Sequence, residues 1–310
     1  MRKLKLVPDK TNIPFLGGHK AAFLASALLV AASIALFMTK GLNYGIDFRG
    51  GILIEVGTPE PANLRQIRGT LGALGLGDVA IQEFGAPTDV LIRVERQPGD
   101  ATAQQVAVDI VKAALNDDIG GDISYRRVEF VGPKVSGELI QAGTLAVGLA
   151  VVAMLIYIWF RFEWQFSAGA VLALVHDVAL TIGLFSLTGL EFNLSIIAAI
   201  LTIVGYSMND TVVVYDRVRE NLRKFRRMEL TELLNLSIND TLSRTTMTSL
   251  TTLMALLSLF FFGGEVIRGF TAAMIWGVVV GTYSSIFIAA PLLLKLGVDR
   301  EGISADPAPN

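Results

Sequence analysis

Asp210 stands inside an apolar run, Leu194 to Tyr215, that is long enough to cross a bilayer. An ionisable side chain there costs several kcal/mol unless it has a partner or a use. At a 1.5 Å rise per residue it lies about 8 Å inside the nearer end of the run, close to Tyr215. Thr202, Ser207 and Asn209 make the same stretch polar, so this part of the helix is expected to face protein or water. A carboxyl group so placed can take up and release a proton. Arg244 opens a second apolar run, Leu242 to Phe262, followed by the hydroxyls of Thr245, Thr246, Thr248, Ser249, Thr251 and Thr252. Extended inward, its side chain reaches a depth comparable to that of Asp210. Three readings of Arg244 stay open: an electrostatic partner sensitive to the charge on Asp210, a fixed structural pair, or a cation snorkelling to the headgroups.

His176 and Asp177 lie nine residues into a third run, Ser167 to Leu187, about 14 Å deep and near the midplane. Successive helical residues point about 100° apart, so the two are not expected to form a tight dyad with each other. The imidazole can pass protons at physiological pH, or it can complete a buried hydrogen bond.

The composition allows little other chemistry. Hydrophobic residues make up 52% of the 310 and charged residues 17%, against about 25% charged in an ordinary soluble domain. With 26 basic and 28 acidic side chains there is no basic excess for nucleic acid. The absence of cysteine and the two histidines remove disulfides, thiolate nucleophiles, Fe–S clusters and nearly every zinc site. No Gly-x-x-x-x-Gly-Lys-Ser/Thr occurs, and no paired-carboxylate or nucleophile site emerges, so no enzyme, metal or organic cofactor is expected. Protons remain the expected currency.

Six runs must position these residues: 21–38, 139–160, 167–187, 194–215, 242–262 and 270–294. The first follows a basic stretch, Arg2, Lys3, Lys5, Lys10 and Lys20, and is read as a retained anchor; a secretory signal is the alternative, but no small-x-small cleavage site follows Met38. Lys and Arg concentrate in the tail 1–20 and the loop 216–241, which puts both termini, including the tail 297–310, in the cytoplasm. Trp159, Phe160, Phe162 and Trp164 suit an interfacial belt, and Val218 to Met228 reads as a basic amphipathic helix meeting anionic lipid. Gly277-Val-Val-Val-Gly281 fits a common helix-packing pattern of little diagnostic weight, and Ser237-Ile-Asn-Asp-Thr241 echoes Ser207-Met-Asn-Asp-Thr211 by coincidence.

Residues 41–137, with 13 acidic and nine basic side chains, form an inserted domain on the outer side. Its hydrophobic pattern predicts strands at 51–56, 79–84, 90–94 and 125–131 and helices at 62–74 and 102–115. The order strand–helix–strand–strand–helix–strand is the ferredoxin-like α+β pattern.

Five ordered motifs carry a resemblance: Gly45-Ile-Asp-Phe-Arg-Gly-Gly51, Val131-Gly-Pro-Lys-Val-Ser-Gly-Glu-Leu139, His176-Asp177, Ser207 through Arg217, and Thr241-Leu-Ser-Arg-Thr-Thr246. Together, over about residues 21–296, the chain resembles the SecF family of the SecDF accessory complex. The resemblance implies half of an RND-superfamily membrane unit: six transmembrane helices in a bacterial inner membrane, with a periplasmic domain between the first and second. It implies SecD as partner, association with the SecYEG channel, YajC and YidC, and help for a translocating unfolded polypeptide at the expense of the proton gradient. The family's proton-coupling carboxylate and arginine fall on Asp210 and Arg244, with Asn209, Thr245, His176 and Asp177 as supporting polar residues. Gly45, Asp47, Arg49, Gly50 and Gly51, and Gly132, Pro133 and Gly137, would form the domain junctions, where glycine allows close or bent backbone. Competing readings are a half-subunit of an RND-type exporter of small molecules or lipids, disfavoured by the short inserted domain, and a passive scaffold whose buried charges are only structural.

Overall fold

The computed structural model describes residues 8, 11–120 and 122–298, without the side chains of Ala101, Pro133, Lys134 and Glu265. The basic positions Arg2, Lys3, Lys5 and Lys10 and the tail 299–310 lie outside the described residues. In chain order the elements are α1 (His19–Lys40), a single helical turn (Ile46–Arg49), β1 (Gly51–Gly57), α2 (Leu64–Gly72), β2 (Val79–Phe84), β3 (Ala86–Val94), α3 (Ala101–Ile119), β4 (Ser124–Val131), α4 (Pro133–Arg161), α5 (Trp164–Thr188), α6 (Leu194–Lys224), α7 (Leu230–Phe262), α8 (Arg268–Ser284), a π-helical turn (Ser285–Ala289) and α9 (Ala290–Leu296). Six helices are long and apolar enough to cross a membrane: α1, α4, α5, α6, α7, and α8 with its continuation through α9.

Two compact units are distinguished. In the helical unit α5, α6 and α8 are the most buried, while α1, α4 and α7 keep most of their apolar surface exposed, with Met38, Leu149, Phe160 and Phe262 among the most exposed side chains. Small residues bring the central helices together. A Cβ on Gly281 would lie 3.0 Å from that of Ser207, and one on Gly277 would collide with Ile203, so the spacing given little weight in the sequence is the contact between α8 and α6.

Within the predicted loop 216–241, the helix read over Val218 to Met228 is the end of α6 and stops at Lys224, and α7 begins at Leu230. What continues both helices there is a buried stripe at three- and four-residue spacing, Val214, Val218 and Leu222 on α6 with Leu234 and Ile238 on α7. Asn221 Nδ2 donates to Ser237 Oγ at 3.0 Å, and Arg217 Nε to Asp240 Oδ2 at 2.9 Å. Asn239 donates to the carbonyl of Ile13 and accepts from its N–H, both at 2.9 Å. The segment 237–241, set aside as an echo, therefore fastens α6 and the N-terminal segment to α7.

The second unit covers residues 44–146 and 191–194. Its four longer strands form an antiparallel sheet in the order β2-β3-β1-β4, with Ile54 opposite Ile92 on one side and Val128 on the other, and Asn43–Tyr44 pairs with Glu191–Phe192 in a separate two-stranded sheet. Alternate residues Ile52, Ile54, Val56, Val90 and Ile92 pack with Ile67 and Leu71 of α2 and Val108, Val111 and Leu115 of α3. The opposite face buries Leu53 and Leu91 under Ile46. The gap between the strands predicted at 79–84 and 90–94 shrinks to Gly85, which takes φ +92° and lets β3 begin at Ala86.

Candidate functional site

Asp210 is buried in α6. Its Oδ1 accepts the hydroxyl of Thr245 from α7 at 2.7 Å, and its Oδ2 is buried with no hydrogen-bond partner. Arg244 precedes Thr245 and so points from a different side of α7, where it is exposed. Among the described residues it makes no ion pair with Asp210, although its charge still acts on that carboxylate through space. The structure thus joins Asp210 to Thr245 and leaves Arg244 on the open face. Asn209, also exposed, faces away from the buried cluster.

Asp177 is 1% exposed and accepts three hydrogen bonds. Ser207 of α6 donates to Oδ2 at 2.5 Å, Ser284 of α8 to the same oxygen at 2.7 Å, and His176 Nδ1 lies 2.8 Å from Oδ1. Adjacent side chains do meet here, contrary to the expectation from helical spacing. Nδ1 lies close to the backbone, so a turn of each side chain about its own bonds overcomes the angular offset between the Cα positions. His176 Nε2 is buried without a partner, and the ring stacks on Tyr283 at 6.0 Å between centroids.

The two carboxylates lie on α5 and α6, and hydroxyl groups near them also pair between helices. Ser285, next to Ser284, lies 3.0 Å from the hydroxyl of Thr211, the neighbour of Asp210, and donates to the carbonyl of Gly281. Tyr206 donates to Ser249, which meets Thr282 at 2.8 Å. The π-helical turn begins at Ser285, and a single π-turn within an α-helix is a common mark of a functional position. Tyr215 seals the far side, its hydroxyl donating to the carbonyl of Ala289 at 3.1 Å. Sequence reasoning missed Ser284, Ser285 and Thr282, because serine and threonine in an apolar run carry no signal until the helix opposite is known.

In the inserted unit the first glycine motif is conformationally demanding and the second is not. The N–H of Gly45 donates to Phe192 O at 2.9 Å, and a Cβ there would meet Glu191. Gly50 and Gly51 take φ of +70° and +118°. Asp47 Oδ2 accepts from Leu194 N–H at 2.9 Å, and Asp47 O accepts from Ser136 Oγ at 2.8 Å. Arg49 is exposed and lines a pocket of about 420 Å³ with Arg93 and Arg96, where Arg93 pairs with Glu191. Gly132 and Gly137 have open space around them and no positive φ. The side chain of Pro133 lies outside the described residues.

Residues 111–299 match the model of the SecD/SecF C-terminal region of protein export membrane proteins, and residues 35–58 match that of the SecD/SecF GG motif. The chain is 47% identical over 297 residues to the protein translocase subunit SecF of Vibrio alginolyticus, covering 96% of this chain and 94% of the relative. It is 48% identical over 310 residues to that of Cereibacter sphaeroides, covering 98% and 95%. The crystal structure of SecDF, a translocon-associated membrane protein from Thermus thermophilus, superposes with a TM-score of 0.84 at 36% identity, over 94% of this chain and 39% of that one. SecDF in its super-membrane-facing form superposes with a TM-score of 0.64 at 35% identity, again over 94% and 39%. The chain thus spans about two fifths of the SecDF chain.

Proposed function

Because this chain belongs to the SecD/SecF protein-export family, we propose that it is the smaller membrane subunit of a proton-driven export complex, acting with a SecD-type partner to promote translocation of unfolded polypeptide. The six apolar helices and the family place it in a bacterial inner membrane as a multi-pass protein. In the proposed arrangement both termini are cytoplasmic and the inserted unit is periplasmic, its element order and antiparallel sheet supporting a ferredoxin-like reading. The SecYEG channel, YajC and YidC are the further partners the family suggests. No observation favours a small-molecule or lipid exporter.

The observation that carries this reading is the buried carboxylate with one oxygen bonded to Thr245 and the other vacant of partners. Oδ2 is the atom at which a proton binds. Ionised, Asp210 attracts the charge of Arg244 and holds the Thr245 hydroxyl as a donor. Protonated, it loses its charge, and the attraction between α6 and α7 weakens. Asp177, fully bonded on both oxygens, keeps α5, α6 and α8 together meanwhile. A change in the α6 and α7 packing passes along the chain to the inserted unit through α1 and α4, the helices flanking it in sequence. The coupling ion is the proton; no cofactor enters the scheme. Proton-gradient-dependent secretion into inverted vesicles carrying the Asp210→Asn or Arg244→Met variant tests the proposal, and unchanged secretion in both would sink it.

A further inference from the structure

A basic pocket of about 580 Å³ lies in the helical unit, lined by Arg161 at the end of α4 and by Asp216, Arg219, Glu220, Arg223 and Lys224 of α6. Four cations and two carboxylates make the lining net positive. Both carboxylates are already engaged: Asp216 Oδ1 accepts from Arg161 Nη2 at 2.5 Å, and Glu220 from Arg217 at 2.7 Å. Arg161 and Arg219 are held against one ring, with their guanidinium carbons 4.9 and 5.7 Å from the centre of Phe162. Arg219 Nη1 donates to the carbonyl of Arg161 at 3.2 Å, and its Nε is buried with no hydrogen-bond partner. Both guanidinium groups are thereby held at the Phe162 ring, that of Arg219 also by a backbone bond. Asp216 answers the charge of Arg161, which leaves the charge of Arg219 and its unmet Nε as the groups a further anion would satisfy. The flanking residues set the depth of that anion in the membrane. Trp159, Phe160 and Trp164 are 77%, 86% and 62% exposed, as aromatic side chains at the bilayer interface are.

We infer that this pocket binds the phosphate headgroup of an anionic phospholipid, with Arg161 and Arg219 as the phosphate-contacting pair. Arginine suits this role because its planar fork donates two parallel hydrogen bonds to phosphate oxygens. The acyl chains would then run along the exposed apolar surface of α4, where Leu149, Val152, Ile156 and Phe160 face outward. The inference rests on the proposed membrane reading, in which these helix ends are cytoplasmic. The measurement below reports on the pocket whichever leaflet it faces, so a reversed orientation would not be mistaken for a failed pocket.

The test uses the full chain with its partner subunit, reconstituted in phosphatidylcholine containing a small fraction of spin-labelled phosphatidylglycerol. The protein is expected to immobilise the anionic label in preference to labelled phosphatidylcholine. Arg161→Gln with Arg219→Gln lowers that preference roughly tenfold. Arg226→Gln with Arg227→Gln removes the same charge from exposed positions outside the pocket and is expected to change it less than twofold. Arg161→Lys with Arg219→Lys retains the charge but not the planar fork, and is expected to keep more of the preference than the glutamine pair and less than the parent. Equal losses in both glutamine pairs would show diffuse surface attraction and overturn the inference. So would displacement of the label by millimolar inorganic phosphate, which would identify a soluble-anion site instead.

Discussion

The Thr245 hydroxyl donates to Asp210 Oδ1 at 2.7 Å across two spanning helices, and the other oxygen of that carboxylate is buried and unpartnered. One oxygen is thus fixed in place while the other is open to a proton. Asp210→Asn retains the shape and a carbonyl acceptor for Thr245 but cannot gain or lose a proton. It is expected to abolish proton-gradient-dependent secretion while the protein remains folded. Thr245→Val removes one hydrogen bond to a charged group, worth about 1.5–3 kcal/mol, and is expected to reduce coupling partially, with Thr245→Ser restoring it. Vesicle secretion with and without a proton gradient measures both; a Val variant equal to the parent would remove Thr245 from the mechanism.

Arg244 distinguishes the three roles open to it. It is exposed and makes no ion pair among the described residues, so Arg244→Met is expected to alter stability by less than about 0.5 kcal/mol. Secretion driven by the gradient is nevertheless expected to fail, and Arg244→Lys to recover part of it. A fall in melting temperature with Met would instead indicate a static structural pair, and unchanged coupling would indicate a snorkelling cation.

Polar positions inside the spans were legible because charge is rare in this chain. Asp210, His176 and Asp177 interrupt apolar runs and are buried, whereas Arg244, which interrupts a run as they do, is exposed. Their relationships were not legible. Sequence depth put Arg244 level with Asp210, but helix rotation decides contact, and Thr245 is the residue that turns inward. The His176–Asp177 bond depends on side-chain rotation that spacing does not encode. Alternation placed β1 and β2, and apolar residues at helical spacing placed both helices of the inserted unit, whereas the start of β3 was lost because Ala86-Pro87-Thr88-Asp89 has the composition of a turn. Polar residues past the membrane edge hid the continuity of the helices: Val218 to Met228 reads as a separate basic helix although it is the end of α6, and α7 starts at Leu230, before the apolar run that begins at Leu242.

Asp177 is expected to act on stability where Asp210 acts on coupling. Asp177→Ala leaves Ser207, Ser284 and His176 Nδ1 facing a buried void, and a cost on the order of 3 kcal/mol or more is expected from the unmet polar groups. Because Ser284 adjoins the π-helical turn at Ser285–Ala289, amide exchange should quicken there first. Thermal unfolding in detergent and exchange mapped by mass spectrometry check both. Equal protection of that turn in parent and variant would show that Asp177 does not hold it.

The two glycine motifs flanking the inserted unit should respond unequally to alanine. Gly51 has φ +118°, and a Cβ there would come within 2.7 Å of the carbonyl oxygen of Val94. That carbonyl belongs to the last β3 residue of the ladder, where Val94 faces Ile52, so the added methyl group pushes apart the first pair of the β1–β3 register. Strained backbone and steric conflict together predict a cost of about 1–3 kcal/mol for Gly51→Ala. Gly132, with open space around it and ordinary φ, should accept alanine within about 0.5 kcal/mol. Limited proteolysis of the full chain over a temperature series reads the difference. Cleavage within residues 44–131 should begin at lower temperature in the Gly51 variant alone, and equal onset in the two variants would show that the demand at Gly51 is met by relaxation of β3.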